Sequence, residues 1–130
     1  AEPIVEEGHA DVLIAFEKLE AMRYAHFLKK DGVIIANDQR IDPITVVTGQ
    51  AEYPDHILET LSEKHKVISI DAMAEAKKLG NPKVFNTIII GVAAKHMDFD
   101  HDKWVEVIKA TVPPKTVEMN LKAFEVGYAL

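Results

Sequence analysis

The sequence contains no cysteine and no hydrophobic segment long enough to cross a membrane. Without cysteine among its 130 residues, the chain cannot hold a disulfide framework, a cysteine nucleophile or an iron–sulfur cluster bound through thiolates. Its longest apolar run, residues 84–94, falls short of the roughly 20 residues that span a bilayer. No basic stretch followed by an apolar one marks a secretory signal. We therefore expect a cytoplasmic protein with no membrane partner.

Basic residues are in the minority. Fifteen lysines and arginines stand against 21 aspartates and glutamates, which gives a formal net charge of −6. Non-specific binding to nucleic acid or to an anionic membrane needs a basic face. We therefore expect no nucleic-acid partner, while an acidic balance by itself identifies no other partner.

The short motifs of self-contained enzymes are missing as well. The sequence has neither a G-x-G-x-x-G nor a Walker A motif, which are the signatures of dinucleotide and nucleoside triphosphate binding. The histidines at positions 9, 26, 56 and 65 have no serine or cysteine at the spacing of a nucleophilic triad. The residues by themselves therefore indicate a domain without an active site of its own.

What the sequence does contain is an alternation of short β-branched runs with amphipathic helical patterns. This alternation predicts an α/β fold of three layers, with a mostly parallel sheet and helices on both of its faces. The last third has no clear strand and is predicted to be all-helical. The predicted strands are residues 11–16, 33–36, 44–47 and 66–70. The predicted helices are residues 18–29, 55–65, 72–79, 84–94, 98–110 and 115–128. Asp31 and Gly32 are predicted to end the first of them, Asp55 and Asp71 to cap the second and third, and Asp98 and Asp100 to start the fifth.

The apolar run at residues 84–94 divides these two kinds of sequence. Gly80 suits the end of a helix, and Pro82 favours an extended Asn81, so a new element begins here. The three isoleucines at positions 88–90 have strand propensity. However, apolar residues occur all round the run, and it is longer than a usual strand. We predict a buried helix.

A cluster of histidine and aspartate at residues 96–102 resembles the beginning of an EF-hand loop. The resemblance fails at Lys103, where the loop needs glycine, and at Lys109, where it needs a bidentate glutamate. Aspartate at a helix start is explained by capping and by the helix dipole. We therefore predict no metal site.

Three polar segments follow the predicted strands. Ligands of parallel α/β sheets bind beyond the carboxyl ends of the strands, which marks Glu17, residues 37–40 and residues 69–71. Glu17 and Glu20 could share a proton or act as acid and base. Glutamates three residues apart at a strand-to-helix junction are also typical of a solvated first helical turn. Glu17 and Asn37 are therefore candidates for cofactor binding, and neither is predicted to be catalytic.

The whole chain also resembles a known family. The gamma module of 2-oxoacid:ferredoxin oxidoreductases is similar along all 130 residues, and within that family the beta subunit of indolepyruvate ferredoxin oxidoreductase is especially similar. The resemblance rests on an ordered set of residues, in which the closing segments are the most telling. The set comprises residues 10–21 (ADVLIAFEKLEA), Tyr53, Pro54, Asp71, Ala72, Gly80, Asn81, Pro82, Asn86, Gly91, residues 112–115 (VPPK) and residues 120–127 (NLKAFEVG).

The resemblance implies a subunit of an enzyme that oxidatively decarboxylates aryl-2-oxoacids with coenzyme A, giving acyl-CoA, carbon dioxide and reduced ferredoxin. In that family, thiamine diphosphate and the iron–sulfur clusters belong to a larger catalytic subunit or to other domains. We therefore expect no cofactor on this chain, which has no Gly-Asp-Gly…Asn diphosphate motif. We expect the larger catalytic subunit as its partner, ferredoxin as an indirect partner, and no activity from the isolated chain.

This sequence departs from the family at its beginning. The family's module opens with a glycine-rich strand–turn–helix, which does not precede Ala1, and three or four strands make a thin sheet. We therefore expect residues 1–130 to form a single α/β domain that is the C-terminal portion, about two-thirds, of a longer gamma-type domain.

The signature residues have a structural and a functional interpretation. Residues shared with the family are expected to serve interface or architecture: Asn81, Pro82, Asn86, Gly91, Pro113, Pro114 and Asn120. The first three are predicted to fix the start of the buried helix, and the two adjacent prolines the angle of the last one. Lys115 could instead face a partner or the phosphates of coenzyme A, because an ammonium group binds phosphate as a point charge.

Two other functions remain open. One is a free-standing α/β domain that binds a nucleotide or flavin at the strand ends near Glu17, Asn37 and Asp71. The other is a structural dimerisation module that uses the exposed face of the thin sheet. Binding of flavin to the isolated chain would distinguish the first, and a tight homodimer the second.

Overall fold

The computed structural model describes residues 6–97 and 100–130. Two compact units make up the chain, Ala1–Ile70 and Asp71–Leu130, and each is described by itself. The first contains the sheet, and the described residues of the second form helices joined by turns, without a strand. That residues 1–130 form a single domain stays a prediction.

The first unit is built on a parallel sheet of three strands in the order β1-β2-β3. Ile35 in the middle strand pairs with Ile14 on one side and Ile68 on the other. The strands are β1 (Ala10–Ala15), β2 (Leu28–Asn37) and β3 (Lys66–Ile70). The connecting helices are α1 (Lys18–Tyr24), α2 (Ile44–Val47) and α3 (Ile57–Ser62). Both crossovers are therefore βαβ units, as the alternating pattern predicts.

One face of this sheet forms a hydrophobic core with α1 and α3. Successive strand residues point to opposite faces, so Ala15, Ile34 and Ala36 share one face, against which Ala21 of α1 and Ala25, just after α1, pack. The partly buried leucines of α3 pack against the same cluster. This packing holds the strands in place and so sets where the chain continues after each carboxyl end.

The second strand is longer than predicted, and the first helix is shorter. The helix predicted for residues 18–29 ends at Tyr24, and β2 begins at Leu28 instead of Val33. Leu28 belongs to the buried core, and its burial there favours strand over a further helical turn. Gly32, expected to break a helix, lies in an irregular part of the strand. A side chain at this position would meet Leu28 and the carbonyl of Lys29.

Residues 44–47 form a helical turn, so the prediction of a strand here is wrong. The carbonyl of Pro43 accepts hydrogen bonds from the amides of Val46 (2.9 Å) and Val47 (3.0 Å). The hydroxyl of Thr48 donates back to the carbonyl of Ile44 at 2.9 Å. These local hydrogen bonds outweigh the strand propensity of β-branched residues, which is a weak preference that depends on context.

The predicted helix at residues 55–65 is also shorter in the structure, where α3 spans Ile57–Ser62. Asp55 was expected to cap it, but the N-cap is His56 and no side chain caps the helix. His56 has φ 56°, a left-handed conformation that is uncommon outside glycine. Such a residue usually costs about 1 kcal/mol or more.

The second unit confirms the all-helical last third. Its helices are α4 (Ala72–Lys78), α5 (Phe85–His96), α6 (His101–Thr111) and α7 (Val117–Ala129). Short 3-10 turns, Pro82–Val84 and Pro114–Thr116, precede α5 and α7. The predicted cap Asp71 accepts a hydrogen bond from the amide of Ala74 at 3.0 Å. None of the described helices is both long enough and apolar enough to span a membrane.

The α5 helix confirms the buried helix predicted at residues 84–94. Ile88, Ile89 and Val92 have no exposed surface, and neither does Phe124 of α7. Helix α6 begins at His101 with Asp100 as its N-cap, whose carboxylate accepts from the amide of Asp102. The other predicted cap, Asp98, lies outside the described residues.

His101 links α6 to α7. Its Nε2 contacts Glu125 Oε1, and its Nδ1 lies 3.1 Å from Asp102 Oδ1. The ring centroid is 4.9 Å from that of Tyr128. The hydrogen bond to Asp102, followed by that to Glu125, raises the pKa of His101 above its ordinary value.

This arrangement predicts that His101 stabilises the second unit more in acid than at alkaline pH. A histidine whose folded-state pKa is raised contributes stability below its unfolded pKa of about 6.5 and loses it as the pH rises through the folded value. The contribution should be below about 1 kcal/mol because the pair is partly exposed. The melting-temperature loss of His101→Gln relative to the unsubstituted chain should be larger at pH 5.5 than at pH 8.5. Glu125→Gln should behave alike, whereas a loss independent of pH would contradict the prediction. Lys103→Gln, an exposed change on the same helix, is the control.

Candidate functional site

The candidate site lies in the first unit, where the strands end. A pocket of about 250 Å³ opens there, at the edge of the sheet where parallel α/β proteins bind ligands. Residues of both charges line it, which include Lys18, Asp38, Arg40, Tyr53, Asp55 and Ser69.

Glu17 is the buried carboxylate of this edge, with only 7% of its surface exposed. Its Oε1 accepts a hydrogen bond from the amide of Glu20 at 2.9 Å. Its Oε2 accepts two more, from the Tyr53 hydroxyl at 2.8 Å and from the amide of Ile41 at 3.1 Å. One carboxylate therefore joins the beginning of α1, the segment after β2 and the segment before α3.

Glu20 completes a capping box with Glu17. Its Oε1 accepts hydrogen bonds from the amides of Glu17 and Phe16, each at 3.0 Å. Reciprocal capping satisfies amides that a helix start otherwise leaves without partners. The paired glutamates predicted from the sequence are therefore engaged with the backbone of the helix start, which favours the first-turn interpretation over acid–base catalysis.

At the same edge, Arg40 lies over the ring of the buried Tyr53. The guanidinium carbon of Arg40 lies 4.4 Å from the centroid of the Tyr53 ring, within the range of a cation–π contact. Arg40 also binds Asp42, with Nε 2.6 Å from Oδ1, and this hydrogen bond raises the pKa of Arg40. Burial, together with the hydrogen bond to Glu17, raises the pKa of Tyr53 to about 12. Tyr53 therefore stays a neutral hydrogen-bond donor to Glu17 at physiological pH.

Sequence reasoning did not identify Tyr53 or Arg40 as individual site residues. Arg40 belongs to the polar segment at residues 37–40 that follows a predicted strand, and Tyr53 belongs to the set of residues that carries the family resemblance. Tyr53 is 36 positions from Glu17, so no local pattern brings them together. The one available signal was a tyrosine–proline pair at the end of an irregular segment.

Asn37 is the second buried candidate and is 1% exposed. Its Nδ2 donates to the carbonyl of Phe16 at 3.2 Å and to Gln39 Oε1 at 2.9 Å. A backbone hydrogen bond also joins the ends of β2 and β3, since the amide of Asp38 donates to the carbonyl of Ile70 at 2.7 Å. Asn37 thus holds the carboxyl ends of the strands together, and its role in cofactor binding stays a prediction.

The remaining predicted residues lie in the second unit. The Asn81 side chain accepts from the amide of Lys83 at 3.0 Å and so begins the turn before α5, in which Pro82 is the first residue. Asn120 joins α7 to α5: its Oδ1 accepts from the Thr87 hydroxyl at 2.6 Å, and its Nδ2 donates to the carbonyl of Thr116. Four others are exposed, and their roles stay predictions: Asn86, Pro113, Pro114 and Lys115.

Gly91 lies where the backbone of α7 comes close to α5. A Cβ atom here would lie 2.9 Å from the amide nitrogen of Tyr128 and would overlap the carbonyl oxygen of Phe124. Gly127 is its counterpart on α7, where a Cβ would overlap the carbonyl oxygen of Ile88. Helices α5 and α7 therefore pack backbone to backbone through two glycines.

Within residues 6–97 and 100–130, no group of three or more histidine, cysteine, aspartate or glutamate side chains is placed to hold a metal ion. The thiolates of an iron–sulfur cluster are missing from the sequence itself. The donor set of this chain therefore does not fit such a cluster.

A parallel sheet whose strand ends are joined by side-chain hydrogen bonds, together with a helical C-terminal unit, defines an α/β protein. The chain belongs to the pyruvate ferredoxin/flavodoxin oxidoreductase family, whose model matches residues 1–130. This confirms the family expected from the sequence.

Two curated relatives are indolepyruvate oxidoreductase subunits IorB from archaea. The subunit from Thermococcus kodakarensis is 38% identical over 130 residues, which cover 95% of this chain and 64% of the relative. The subunit from Pyrococcus horikoshii is 39% identical over 132 residues, with the same coverages. The chain thus spans just under two-thirds of the length of these relatives.

Solved structures confirm the fold class. The gamma subunit of a keto/oxoacid ferredoxin oxidoreductase from Geobacter sulfurreducens matches with a TM-score of 0.69 at 20% identity, covering 97% of this chain and 66% of that one. A 2-oxoglutarate:ferredoxin oxidoreductase from Magnetococcus marinus, solved with 2-oxoglutarate, coenzyme A and succinyl-CoA, also gives 0.69 at 18% identity. There the matched part is 21% of a longer chain.

Proposed function

We propose that this chain is a subunit of a 2-oxoacid:ferredoxin oxidoreductase that oxidises an arylpyruvate such as indolepyruvate. In the proposed reaction the oxoacid is decarboxylated oxidatively with coenzyme A, giving acyl-CoA, carbon dioxide and reduced ferredoxin. The observation that carries the proposal is the identity of 38–39% over 95% of the chain with subunits named for indolepyruvate oxidation.

In this proposal the chain carries no redox cofactor. The lack of cysteine supports this part, because iron–sulfur clusters are held by thiolates. The two buried polar residues of the strand edge, Glu17 and Asn37, make hydrogen bonds within the chain. Thiamine diphosphate, which supplies carbanion stabilisation, and the iron–sulfur clusters would belong to a larger catalytic subunit. That subunit would be the direct partner and ferredoxin an indirect one, and we expect the complex to work in the cytoplasm.

Reconstitution with the larger subunit tests the proposal. The two chains would be produced separately, combined without oxygen, and assayed for reduction of ferredoxin with indolepyruvate and coenzyme A. We expect reduction from the mixture and none from this chain alone. A larger subunit that reaches full activity by itself, or oxoacid oxidation by this chain alone, would contradict the proposal.

Direct titration distinguishes the nucleotide-binding alternative, which the pocket at the strand ends favours. The isolated chain would be titrated calorimetrically with flavin mononucleotide and with adenosine diphosphate. We expect no stoichiometric binding at micromolar concentration. Tight binding that Arg40→Ala or Lys18→Ala abolishes would support a free-standing binding domain instead.

A further inference from the structure

The segment between β2 and α3 contains a compact loop whose two ends meet. The loop spans residues 40–53, and at its ends the Arg40 guanidinium carbon lies 4.4 Å from the centroid of the Tyr53 ring. Compact surface loops of roughly 6–16 residues with adjacent ends are Ω-loops, which are frequently functional. We refer to residues 40–53 as the Ω-loop.

Internal hydrogen bonds give the Ω-loop a shape of its own. The carbonyl of Thr45 accepts from the amides of Gln50 at 2.8 Å and Ala51 at 3.0 Å. The hydroxyl of Thr48 donates to the carbonyl of Ile44 at 2.9 Å. Because these bonds begin and end inside the loop, they hold its conformation without tying it to the sheet.

The contacts that fasten the Ω-loop to the fold meet at the beginning of α1. The Ile41 amide near one end and the Tyr53 hydroxyl at the other donate to the same carboxylate oxygen, Glu17 Oε2, at 3.1 and 2.8 Å. Between them, Val46 packs against the cluster that contains Leu19. Loss of the contact with Glu17 would therefore release both ends of the loop together.

Little buried surface holds the Ω-loop down. Of residues 40–53, all of which the structure describes, Tyr53 alone is buried. Ile34 and Ile35 of β2, by contrast, have no exposed surface. Segments with few buried contacts open locally at a smaller free energy than global unfolding, and the lids of binding sites are drawn from such segments. The loop should therefore open while the sheet stays folded.

Backbone strain just beyond the Ω-loop favours opening. His56 has φ 56°, although its side chain is 82% exposed and so does not hold it in this conformation. Tyr53 and Ile57, on either side of it, are buried. Strained residues persist only where the surrounding structure over-determines them. Release of Tyr53 would therefore allow His56 to relax.

We propose that the Ω-loop is a lid on the candidate site, which opens as one body when Ile41 and Tyr53 leave Glu17. Arg40 and Tyr53 line the pocket of about 250 Å³ at the strand ends, so opening removes part of its wall. The same movement frees Glu17 Oε2, which the closed lid occupies from both ends. The open site thus presents a carboxylate to a ligand that carries hydroxyl, amide or ammonium donors.

Amide hydrogen exchange in urea tests the lid on the unsubstituted chain. Opening of a lid exposes little surface, so exchange of the Ile41 amide should be nearly independent of urea up to about 2 M. The amides of Ile34 and Ile35 should exchange through global unfolding and accelerate steeply. An Ile41 amide that follows these strand amides at every urea concentration would refute the lid.

Two substitutions separate opening of the lid from unfolding of the sheet. Tyr53→Phe removes a hydrogen bond that only the closed state makes, and should speed exchange of the Ile41 amide about tenfold. Ile34→Val removes a methylene from the core under α1, which weakens the sheet but not the lid. It should speed exchange of Ile35 and leave that of Ile41 unchanged. An Ile41 amide that is insensitive to Tyr53→Phe, or that responds to Ile34→Val, would overturn the proposal.

A single thiol shows whether the Ω-loop moves as a whole. Leu19 packs in one cluster with Tyr53 and Val46 and is 8% exposed. Because the sequence has no cysteine, Leu19→Cys places one thiol there, which a thiol reagent should label with the same opening equilibrium as the Ile41 amide. Ala21→Cys, in the core under the sheet, is the control and should react through global unfolding. Labelling of both variants only through global unfolding would mean that Ile41 frays alone, and would refute movement as one body.

Discussion

Alanine in place of Gly127 is expected to lower the free energy of unfolding by about 3 kcal/mol or more. A Cβ at this position would lie 2.9 Å from the carbonyl carbon of Ile88 and 3.0 Å from the amide nitrogen of Val92. These are backbone atoms, so no side chain can rotate away and helices α5 and α7 must separate. Separation would open space beside Ile88, Ile89 and Phe124, which are now fully buried. Urea unfolding followed by circular dichroism measures the loss.

The sign of this change makes the test decisive. In the interior of an ordinary helix, alanine is more favourable than glycine by about 1 kcal/mol. If α5 and α7 did not approach each other this closely, Gly127→Ala would therefore raise the free energy of unfolding. Gly91→Ala should also destabilise, because its Cβ would meet the backbone of α7. Glu118→Ala, at an exposed position of α7, is the matched control and should change stability by less than about 0.5 kcal/mol. Stabilisation by alanine at either glycine would refute the backbone-to-backbone packing.

The second unit could be predicted well from sequence because its signals are local. An aspartate at position 71 before an apolar periodic run predicted a capped helix, and the structure has that cap. The length of the apolar run at residues 84–94 distinguished a helix from a strand despite three consecutive isoleucines. Gly91 stood out in the sequence, but its contact with Gly127 depends on a helix crossing that no pattern in either segment encodes.

The first unit was harder to predict because tertiary contacts decide its segment boundaries. Residues 28 and 29 are predicted to end a helix and residues 31 and 32 to break it, yet burial of Leu28 in the core begins the strand at residue 28. Residues 44–47 have strand propensity, yet hydrogen bonds to Pro43 and the docking of Val46 make them helical. A long-range contact outweighed local preference at Leu28, and local hydrogen bonds together with the packing of Val46 did so at residues 44–47.

In the candidate site, too, local patterns predicted the positions of residues, whereas their long-range contacts could not be predicted. The general rule for parallel sheets selected Glu17 and Asn37 correctly as residues of the carboxyl edge, and both are buried there. The rule could not show what those side chains bind. The partners of Glu17 are the amides of Glu20 and Ile41 and the hydroxyl of Tyr53, of which only the first is close in sequence.

Glu17→Ala is expected to destabilise the first unit by about 3 kcal/mol, because three buried or partly buried donors lose their acceptor. A helix cap alone accounts for about 1 kcal/mol, and the Tyr53 hydroxyl and the Ile41 amide account for the rest. Tyr53→Phe removes one of the three hydrogen bonds and should cost about 1–2 kcal/mol. Because the two residues share a bond of 2.8 Å, the double variant should lose less than the sum, with a coupling of about 1 kcal/mol. Glu52→Ala, an exposed glutamate beside Tyr53, should change stability by less than about 0.5 kcal/mol.

Titration of Tyr53 gives a readout of this bond that is separate from stability. With a folded-state pKa of about 12 against about 10 in the unfolded chain, Tyr53 stabilises the fold below pH 10, and this contribution is lost as the pH rises through 12. In the Glu17→Ala variant the absorbance transition of tyrosinate should move to lower pH. It should stay above that of an exposed tyrosine, because burial is the largest cause of the shift. Additive losses in the double-variant cycle, together with an unmoved transition, would mean that Glu17 acts on the helix start alone and that Tyr53 is held by packing.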